Sequence, residues 1–232
     1  MVKLLLNVLF LLSPTLFFSQ NNQLYFSDAI KIDFDKYKAK SQFAYQSGDI
    51  ERGRFLFDSL VEYRLKNTVF DDFVLKKVNG GELKISELKK PVVLITYASW
   101  CVFSKGEIQA LNKLVRKYGS EVNFVLLFWD KKHNAKKASR KFHRQIIVCY
   151  AHEHYKHDAH TVASIKHTLG FPTSFYLDKD KKIITIRRTG IHVPYAKHEQ
   201  ENRLALNYNA FLDGLTTIIL NEELNKETLA IN

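Results

Sequence analysis

The sequence predicts an α/β fold in which a central mixed β-sheet is flanked by helices, with a helical extension on its N-terminal side. The apolar run over residues 92–95 is typical of a strand that is buried on both faces. An amphipathic helical pattern and a second apolar run over 122–129 follow it, which indicates a strand-helix-strand unit. With 232 residues, 46% of them hydrophobic, the chain can bury one core plus an extension but not two full-sized domains.

Residues 1–19 have the layout of a secretory signal peptide. Lys3 precedes an apolar run over 4–12, and a polar stretch opens at Ser19. The apolar run is much shorter than the roughly 20 residues of a membrane-spanning helix, and no Cys follows it directly to carry a lipid anchor. We therefore expect cleavage near Ser19 and a periplasmic or secreted protein without a membrane span.

The remaining chain divides into a helical extension over 20–67, a main domain over 68–222 and a C-terminal tail over 223–232. In the extension, apolar residues near a helical period predict a helix over 49–65 that packs on the main domain. The main domain opens with strands at 73–75 and 83–85. They flank Asn79-Gly80-Gly81, whose glycines supply the positive φ angles of a tight hairpin turn. A short helix or turn over 86–89 leads to the buried strand at 92.

The alternation of helices and strands continues to the end of the domain. The apolar positions from Ile108 to Tyr118 predict an amphipathic helix that Gly119 ends. A basic helix over 135–142, a strand over 146–151 and a helical turn over 161–169 follow. Strands at 173–177 and 182–187 bracket a second hairpin turn. The apolar stripe from Leu204 to Ile219 predicts a closing helix.

Charge and composition limit the classes of partner. The net charge is +11, but Lys and Arg are spread over 31–226 without an aromatic and basic platform. We therefore expect a solvated basic surface and no nucleic-acid partner. The two cysteines, Cys101 and Cys149, exclude a disulfide-stapled scaffold and leave open whether they pair. Histidines crowd residues 152–160, but their spacing matches no metal motif, so we expect a solvated loop, no metal site and no cofactor.

Cys101 lies between the buried strand at 92 and the amphipathic helix. At a helix start, unpaired backbone N–H groups and the helix dipole would point at its sulfur and favour the thiolate. Lys105 would add positive charge nearby. The alternative is a buried structural cysteine, but the aromatic Trp100 directly before it is a poor choice for packing alone. We therefore predict a reactive Cys101.

The stretch 92–111 resembles the active-site strand, Trp-Cys-x-x-Cys motif and helix of the thioredoxin-like reductases typified by TlpA and ResA. The residues that carry the resemblance are Trp100-Cys101-Val102-Phe103-Ser104-Lys105 and Glu107. The resemblance extends to Gly170-Phe171-Pro172-Thr173, both hairpins and the closing helix. It covers residues 68–222, about two thirds of the chain, and implies a thioredoxin-like fold.

The resemblance also implies roles for individual residues. Cys101 would be the nucleophile, assisted by Trp100 and Ser104. Glu107 would relay protons, or else be a solvated helix residue. The substrate would dock on a loop in which Pro172 is cis, unless this Pro only marks a turn. That loop consists of Phe171, Pro172 and Thr173. The partners would be protein or small-molecule thiols and disulfides, and the oligomeric state stays open.

Ser104 stands where the family has its second, resolving cysteine. A dithiol releases a mixed disulfide by closing the Cys-x-x-Cys bond, which Ser104 cannot do, although its hydroxyl could stabilise a thiolate. Three possibilities follow: Cys101 is a monothiol reductase or isomerase, Cys149 resolves from a predicted core strand, or the domain is a redox-inactive binding protein. We predict the first. A peroxidase of the peroxiredoxin kind is excluded, because Ala98 stands where it needs Thr.

Overall fold

The computed structural model describes residues 23–188 and 202–231. The predicted signal peptide lies outside the described residues, as does the segment 189–201 before the closing helix. Among the helices that are described, none is both long enough and apolar enough to cross a bilayer.

Helices and strands follow one another in nearly the predicted order. In chain order they are α1 (Phe26–Gln46), α2 (Ile50–Leu60), β1 (Val74–Lys77), β2 (Glu82–Lys84), β3 (Val92–Tyr97), α3 (Glu107–Tyr118), β4 (Asn123–Phe128), α4 (Lys132–Ser139), β5 (Ile147–Tyr150), α5 (159–169), β6 (Thr173–Leu177), β7 (Ile183–Arg187) and α6 (Arg203–Ile231). A π-helical turn, Val61–Leu65, extends α2, and a second one, Val162–Lys166, lies within α5. A 3-10 turn, Ile85–Glu87, occupies the place of the short helix predicted before β3.

The described strands form one mixed sheet in the order β2-β1-β5-β4-β3-β6-β7. The strands β3, β4 and β5 run parallel, and the outer pairs are antiparallel. Every residue of β3 is buried, as its continuous apolar run predicts. Gly80 and Gly81 have φ angles of 97° and 75° in the first hairpin turn, which confirms their predicted role. The predicted central mixed sheet with flanking helices is therefore confirmed.

Helices cover both faces of the sheet. Side chains alternate between the two faces along each strand, so Leu94 and Phe175 face one core while Ile95 and Tyr176 face the other. The first core is closed by α1, α2 and α5, and the second by α3 and α6. Both cores are fully buried at the centre of the sheet, which makes a rigid platform for the loops at its edge.

Helix α1 is missing from the sequence prediction, which places only one helix in the extension. Its buried face includes Ser27 and Ser41 as well as apolar residues, and this weakens the apolar stripe. The ring of Phe26 lies 5.8 Å from Phe70 and 5.5 Å from Phe175, so α1 is part of the core of the sheet. The extension is thus built into the fold and not merely packed on its outside.

A second contact ties the extension to the end of β7. The guanidinium of Arg188 donates to the hydroxyls of Tyr37 and Tyr45, each at 3.1 Å. It also lies 4.4 Å from the centre of the Phe57 ring. Both helices of the extension are therefore held by one cation from the main domain.

Candidate active site

Cys101 lies in the loop 98–106, which joins the end of β3 to the start of α3. A tight turn holds it, in which the Cys101 N–H donates to the Ala98 carbonyl at 2.9 Å and the Ala98 N–H donates to the Cys101 Sγ at 3.3 Å. The Cys101 side chain is partly exposed, and its neighbours Trp100 and Val102 are 72% and 79% exposed. Cys101 is thus partly open to solvent, between two exposed apolar residues.

The start of α3 differs from the prediction. The helix begins at Glu107, six residues after Cys101, and Gly106 directly before it has a left-handed φ of 86°, so no helix start lies at the sulfur. A Cβ on Gly106 would lie only 2.9 Å from the Cα of Leu204, so α6 occupies the space beside it. Since the effect of a helix dipole falls off within the first turn, the prediction that this helix activates Cys101 is wrong.

The electrostatics of the loop also oppose the thiolate. Partial burial raises the pKa of the Cys101 thiol above its ordinary value of 9.0, and the carboxylates of Asp130 and Glu107 raise it further. The hydrogen bond from Ala98 acts in the opposite direction but is outweighed. Lys105 is exposed and does not contribute to the shift. The predicted lowering of the Cys101 pKa is therefore contradicted.

Glu107 is buried at the base of the loop, with 2% of its surface exposed. Its Oε1 accepts a hydrogen bond from the Tyr97 hydroxyl at 2.8 Å, and its Oε2 accepts from the Ser104 N–H at 2.8 Å. The expectation of a solvated helix residue is therefore wrong, whereas proton relay stays a prediction. Tyr97 carries no sequence signal for this role, because it looks like one more apolar position of β3.

The Ser104 hydroxyl takes part in a hydrogen-bond network with α3 and α6. Its Oγ lies 3.1 Å from Glu107 Oε2 and 2.9 Å from Asn207 Oδ1, two acceptors that share its single proton. Asn207 Nδ2 in turn donates to the carbonyls of Lys105 and Arg203. Among the described residues no hydrogen bond joins Ser104 to the Cys101 sulfur. The geometry therefore does not support stabilisation of a Cys101 thiolate by Ser104. Ser104 instead connects the loop to α6.

Asp130 is a second buried carboxylate beside the loop. It follows the end of β4, and its side chain accepts from the Ser99 N–H at 2.5 Å and from the Ser99 hydroxyl at 2.6 Å. The sequence contained a signal for it: an acidic residue directly after a buried parallel strand lies at the same edge of the sheet as Cys101. Asp130 fixes the first half of the loop, while Glu107 fixes the second.

The predicted docking loop lies against the Cys101 loop. The Phe171–Pro172 peptide is cis, as the resemblance implies. The Phe171 ring packs edge-on against Trp100, with ring centres 5.4 Å apart. Thr173 is fully buried at the start of β6, where its N–H donates to Thr96 Oγ1 at 3.1 Å. Of the three predicted docking residues, Phe171 and Pro172 are partly exposed and Thr173 is not.

Cys149 is fully buried in β5, next to Leu127 of β4. Burial raises the pKa of its thiol to about 12. Both cysteines are free in this structure. Cys149 thus has the environment of a core residue, as the sequence analysis expects.

The histidine-rich stretch forms contacts of its own. The rings of His152 and His154 stack with centres 4.7 Å apart. Glu153 pairs with Lys166 at 2.5 Å and lies 3.3 Å from His167. Within residues 23–188 and 202–231 no three His, Cys, Asp or Glu side chains converge in a way that could hold a metal ion.

A titration of Cys101 tests this account of the loop. Because burial and two carboxylates raise its pKa, we expect the rate of alkylation in the folded protein to rise with pH and to reach its midpoint above pH 9.0. Asp130→Asn removes one of these charges and keeps an oxygen that can accept from Ser99, so it should lower the midpoint and speed alkylation near neutral pH by about threefold. Mass spectrometry of the Cys101 peptide after iodoacetamide treatment measures both.

The matched control is Asp213→Asn, which neutralises an exposed carboxylate on α6. It should leave the midpoint where it is in the parent. A midpoint in the folded parent below that of the urea-unfolded chain would contradict the proposed effect of burial and charge.

Comparison with known proteins gives one family and several relatives. Residues 67–186 match the model of a family described as the AhpC/TSA family. The chain is 26% identical over 138 residues to the thioredoxin-like protein YneN of Bacillus subtilis (strain 168), a match that covers 59% of this chain and 76% of the relative.

Solved structures with a similar fold include two proteins of thiol chemistry. One is a thiol:disulfide interchange protein from Bacteroides sp., at 16% identity and a TM-score of 0.46, covering 60% of this chain and 97% of that one. The other is a thio-disulfide isomerase from Thermus thermophilus, at 21% identity and a TM-score of 0.42, covering 59% and 92%.

Proposed function

The chain belongs to the AhpC/TSA family, and from that premise we propose that it acts outside the cytoplasm in thiol-disulfide exchange, as a monothiol reductase or isomerase whose nucleophile is Cys101. One observation carries the proposal. The partly exposed Cys101 directly follows Trp100, which packs against Phe171, and all three lie at the C-terminal edge of the parallel strands. Export is supported by the layout of residues 1–19. In this proposal the thioredoxin-like domain covers 68–222, and the predicted tail continues α6.

The reaction has two exchange steps. The Cys101 thiolate attacks one sulfur of a substrate disulfide, a bond forms between the two sulfurs, and the other substrate sulfur leaves as a thiolate that takes up a proton. A second thiol then attacks the mixed disulfide and releases Cys101. If that thiol belongs to the substrate, its disulfides are rearranged without net oxidation. If it is a small external thiol, it forms a new mixed disulfide with the substrate as Cys101 leaves; a second external thiol then attacks that bond, so the substrate ends as two thiols and the two external thiols end as their disulfide.

The chain offers no efficient resolving group of its own. Ser104 has no thiol, and Cys149 is buried with a pKa of about 12. The raised pKa of Cys101 slows its release from a mixed disulfide further, because a thiol of high pKa is a poor leaving group. Mixed disulfides on Cys101 should therefore be long-lived. A long-lived adduct gives a substrate thiol time to attack, which suits isomerisation.

The substrate chain would dock on Trp100 and on the loop of Phe171, Pro172 and Thr173. Trp100 and Phe171 give an apolar surface next to the sulfur, and the backbone of the loop lies beside the end of β3. Glu107 is a positioning residue in this proposal, because it contacts the loop of Cys101 through the Ser104 backbone.

Reaction with a small neutral disulfide tests the proposal. The full-length mature protein is incubated with bis(2-hydroxyethyl) disulfide, and the adduct is located by intact mass and peptide mapping. We expect one hydroxyethylthio group on Cys101 and none on Cys149, since Cys101 is partly exposed and Cys149 is buried. Added 2-mercaptoethanol should remove it, and Cys101→Ala should abolish it. The exchange proposal is wrong if the native protein stays unmodified under conditions that modify both cysteines of the urea-unfolded chain.

A binding protein without turnover is the second candidate. The raised pKa of Cys101 favours it, since less thiolate is present at neutral pH, and so does the exposure of Trp100 and Val102. In that case the exposed apolar residues would bind a partner while Cys101 stayed a thiol. The same experiment separates the two functions, because only exchange produces an adduct on Cys101.

A further inference from the structure

The residues between β4 and β5 form the densest run of positive charge in the chain. We define the basic segment as residues 131–144, which contain seven Lys and Arg, two His and no Asp or Glu. All seven of these cations are exposed, and none forms an ion pair with another described residue. They are Lys131, Lys132, Lys136, Lys137, Arg140, Lys141 and Arg144. The basic segment is thus a surface of uncompensated positive charge.

Both ends of the basic segment lie next to the Cys101 loop. At the start, Lys131 directly follows Asp130, whose carboxylate holds the Ser99 backbone and hydroxyl. At the end, the buried ring of Phe142 lies 5.9 Å from that of Phe103, in the same loop as Cys101. Between them Ala135 is buried and anchors α4. The seven cations therefore lie on a fixed surface next to the candidate active site.

The acidic groups near Cys101 do not offset this charge on the outside. Asp130 and Glu107 are buried and hydrogen-bonded within the protein. Glu153 is exposed but is paired with Lys166 and His167. A partner that approaches Cys101 from solvent therefore meets exposed positive charge on the side of the basic segment.

We propose that the basic segment binds an acidic stretch of the polypeptide whose disulfide or thiol reacts with Cys101. The inference rests on the proposed function, and it specifies the class of substrate. A protein or peptide is favoured over lipid or nucleic acid because only a polypeptide can present a sulfur atom to Cys101 and carboxylates to the neighbouring cations. Helix α4 is about 12 Å long, so about four extended acidic residues would span it.

Peptide disulfides provide the test. Two peptides each carry one cysteine as a mixed disulfide with 2-mercaptoethanol, flanked by four Glu in the acidic peptide and by four Gln in the neutral one. The Cys101 thiolate attacks the peptide sulfur, the Cys101–peptide disulfide forms, and 2-mercaptoethanol leaves with a proton. We expect the acidic peptide to react about tenfold faster at low salt. In about 1 M salt, where the Debye length is about 3 Å, the rates should converge.

A matched pair of variants locates the effect. Replacing Lys131, Lys132, Lys136 and Lys137 with Gln should abolish the preference for the acidic peptide. The control replaces Lys31, Lys36, Lys38 and Lys40, four exposed lysines of α1 on the opposite face of the sheet, and should retain the preference. Gln is a good helix former, so neither helix is weakened much. Both variants should react with bis(2-hydroxyethyl) disulfide at the parent rate, which reports on the exchange chemistry alone.

Binding is measured separately from reaction. A fluorescent acidic peptide with Ser in place of its cysteine should bind the parent in a salt-sensitive way, and the variant with four Gln in the basic segment should bind it at least about fivefold more weakly. Equal rates and equal binding for acidic and neutral peptides would overturn the inference while leaving the proposed function intact. Vesicles with anionic lipid serve as the competing ligand. If the variant with four Gln in the basic segment loses vesicle binding but keeps its preference for the acidic peptide, the inference is also overturned.

Discussion

Replacing Ser104 with Cys is expected to shorten the lifetime of a mixed disulfide on Cys101 by at least about 100-fold. In the parent, the adduct waits for a thiol from outside the loop. In Ser104→Cys, the attacking thiol belongs to the same loop, and such intramolecular groups act at effective concentrations of about millimolar or far above. The introduced thiol would attack the Cys101 sulfur, a disulfide would form within the loop, and the bound group would leave as a thiol.

The lifetime is measured on the adduct with bis(2-hydroxyethyl) disulfide after the excess reagent is removed. Mass spectrometry then follows the loss of the hydroxyethylthio group and the appearance of an internal disulfide. Ser104→Ala is the control, because it removes the hydroxyl contacts to Glu107 and Asn207 without supplying a thiol. If Ser104→Cys keeps its adduct as long as Ser104→Ala does, Ser104 does not occupy the position of a resolving cysteine.

Patterns that depend on a few neighbouring residues predicted much of the fold. The apolar run of β3 predicted its burial on both faces, and Gly80 and Gly81 predicted the first hairpin turn. Pro172 was assigned a cis bond from the family resemblance alone, and the structure has it. In each case the signal lies within a short stretch of sequence, because a buried strand or a tight turn limits the residues that it can contain.

The environment of Cys101 depends on residues that are distant in sequence. The local sequence predicts a helix terminus at the sulfur, but Gly106 is held against Leu204, and Ser104 is hydrogen-bonded to Asn207. Both contacts come from α6, about 100 residues away, and no local pattern contains them. The raised pKa of Cys101 also has a distant origin, because its main cause is burial in the folded loop; of the carboxylates that add to it, Asp130 reaches the loop from the end of β4.

Glu107→Ala is expected to lower the free energy of unfolding by about 3 kcal/mol, the range in which loss of a buried, charged hydrogen-bond acceptor falls. The carboxylate is 2% exposed and accepts from the Tyr97 hydroxyl and from the Ser104 backbone. Its removal takes away one acceptor from each of these residues and opens a small cavity. Urea denaturation measures the change, and an Ala variant as stable as the parent would contradict the assigned network.

Glu107→Gln distinguishes a positioning role from a purely structural one. The amide keeps one oxygen acceptor but turns an N–H₂ group toward one of the two donors, so it should cost about 1 to 2 kcal/mol. It also removes a negative charge that raises the pKa of Cys101. The variant should therefore be less stable than the parent and yet alkylate at lower pH. A loosened loop would also lower the midpoint, because burial raises the pKa of Cys101. Tyr97→Phe is therefore the control, since it removes the hydroxyl that donates to Glu107 and leaves the charge in place. A midpoint that falls in Glu107→Gln but not in Tyr97→Phe would assign to Glu107 an electrostatic effect on Cys101 beyond its role in holding the loop.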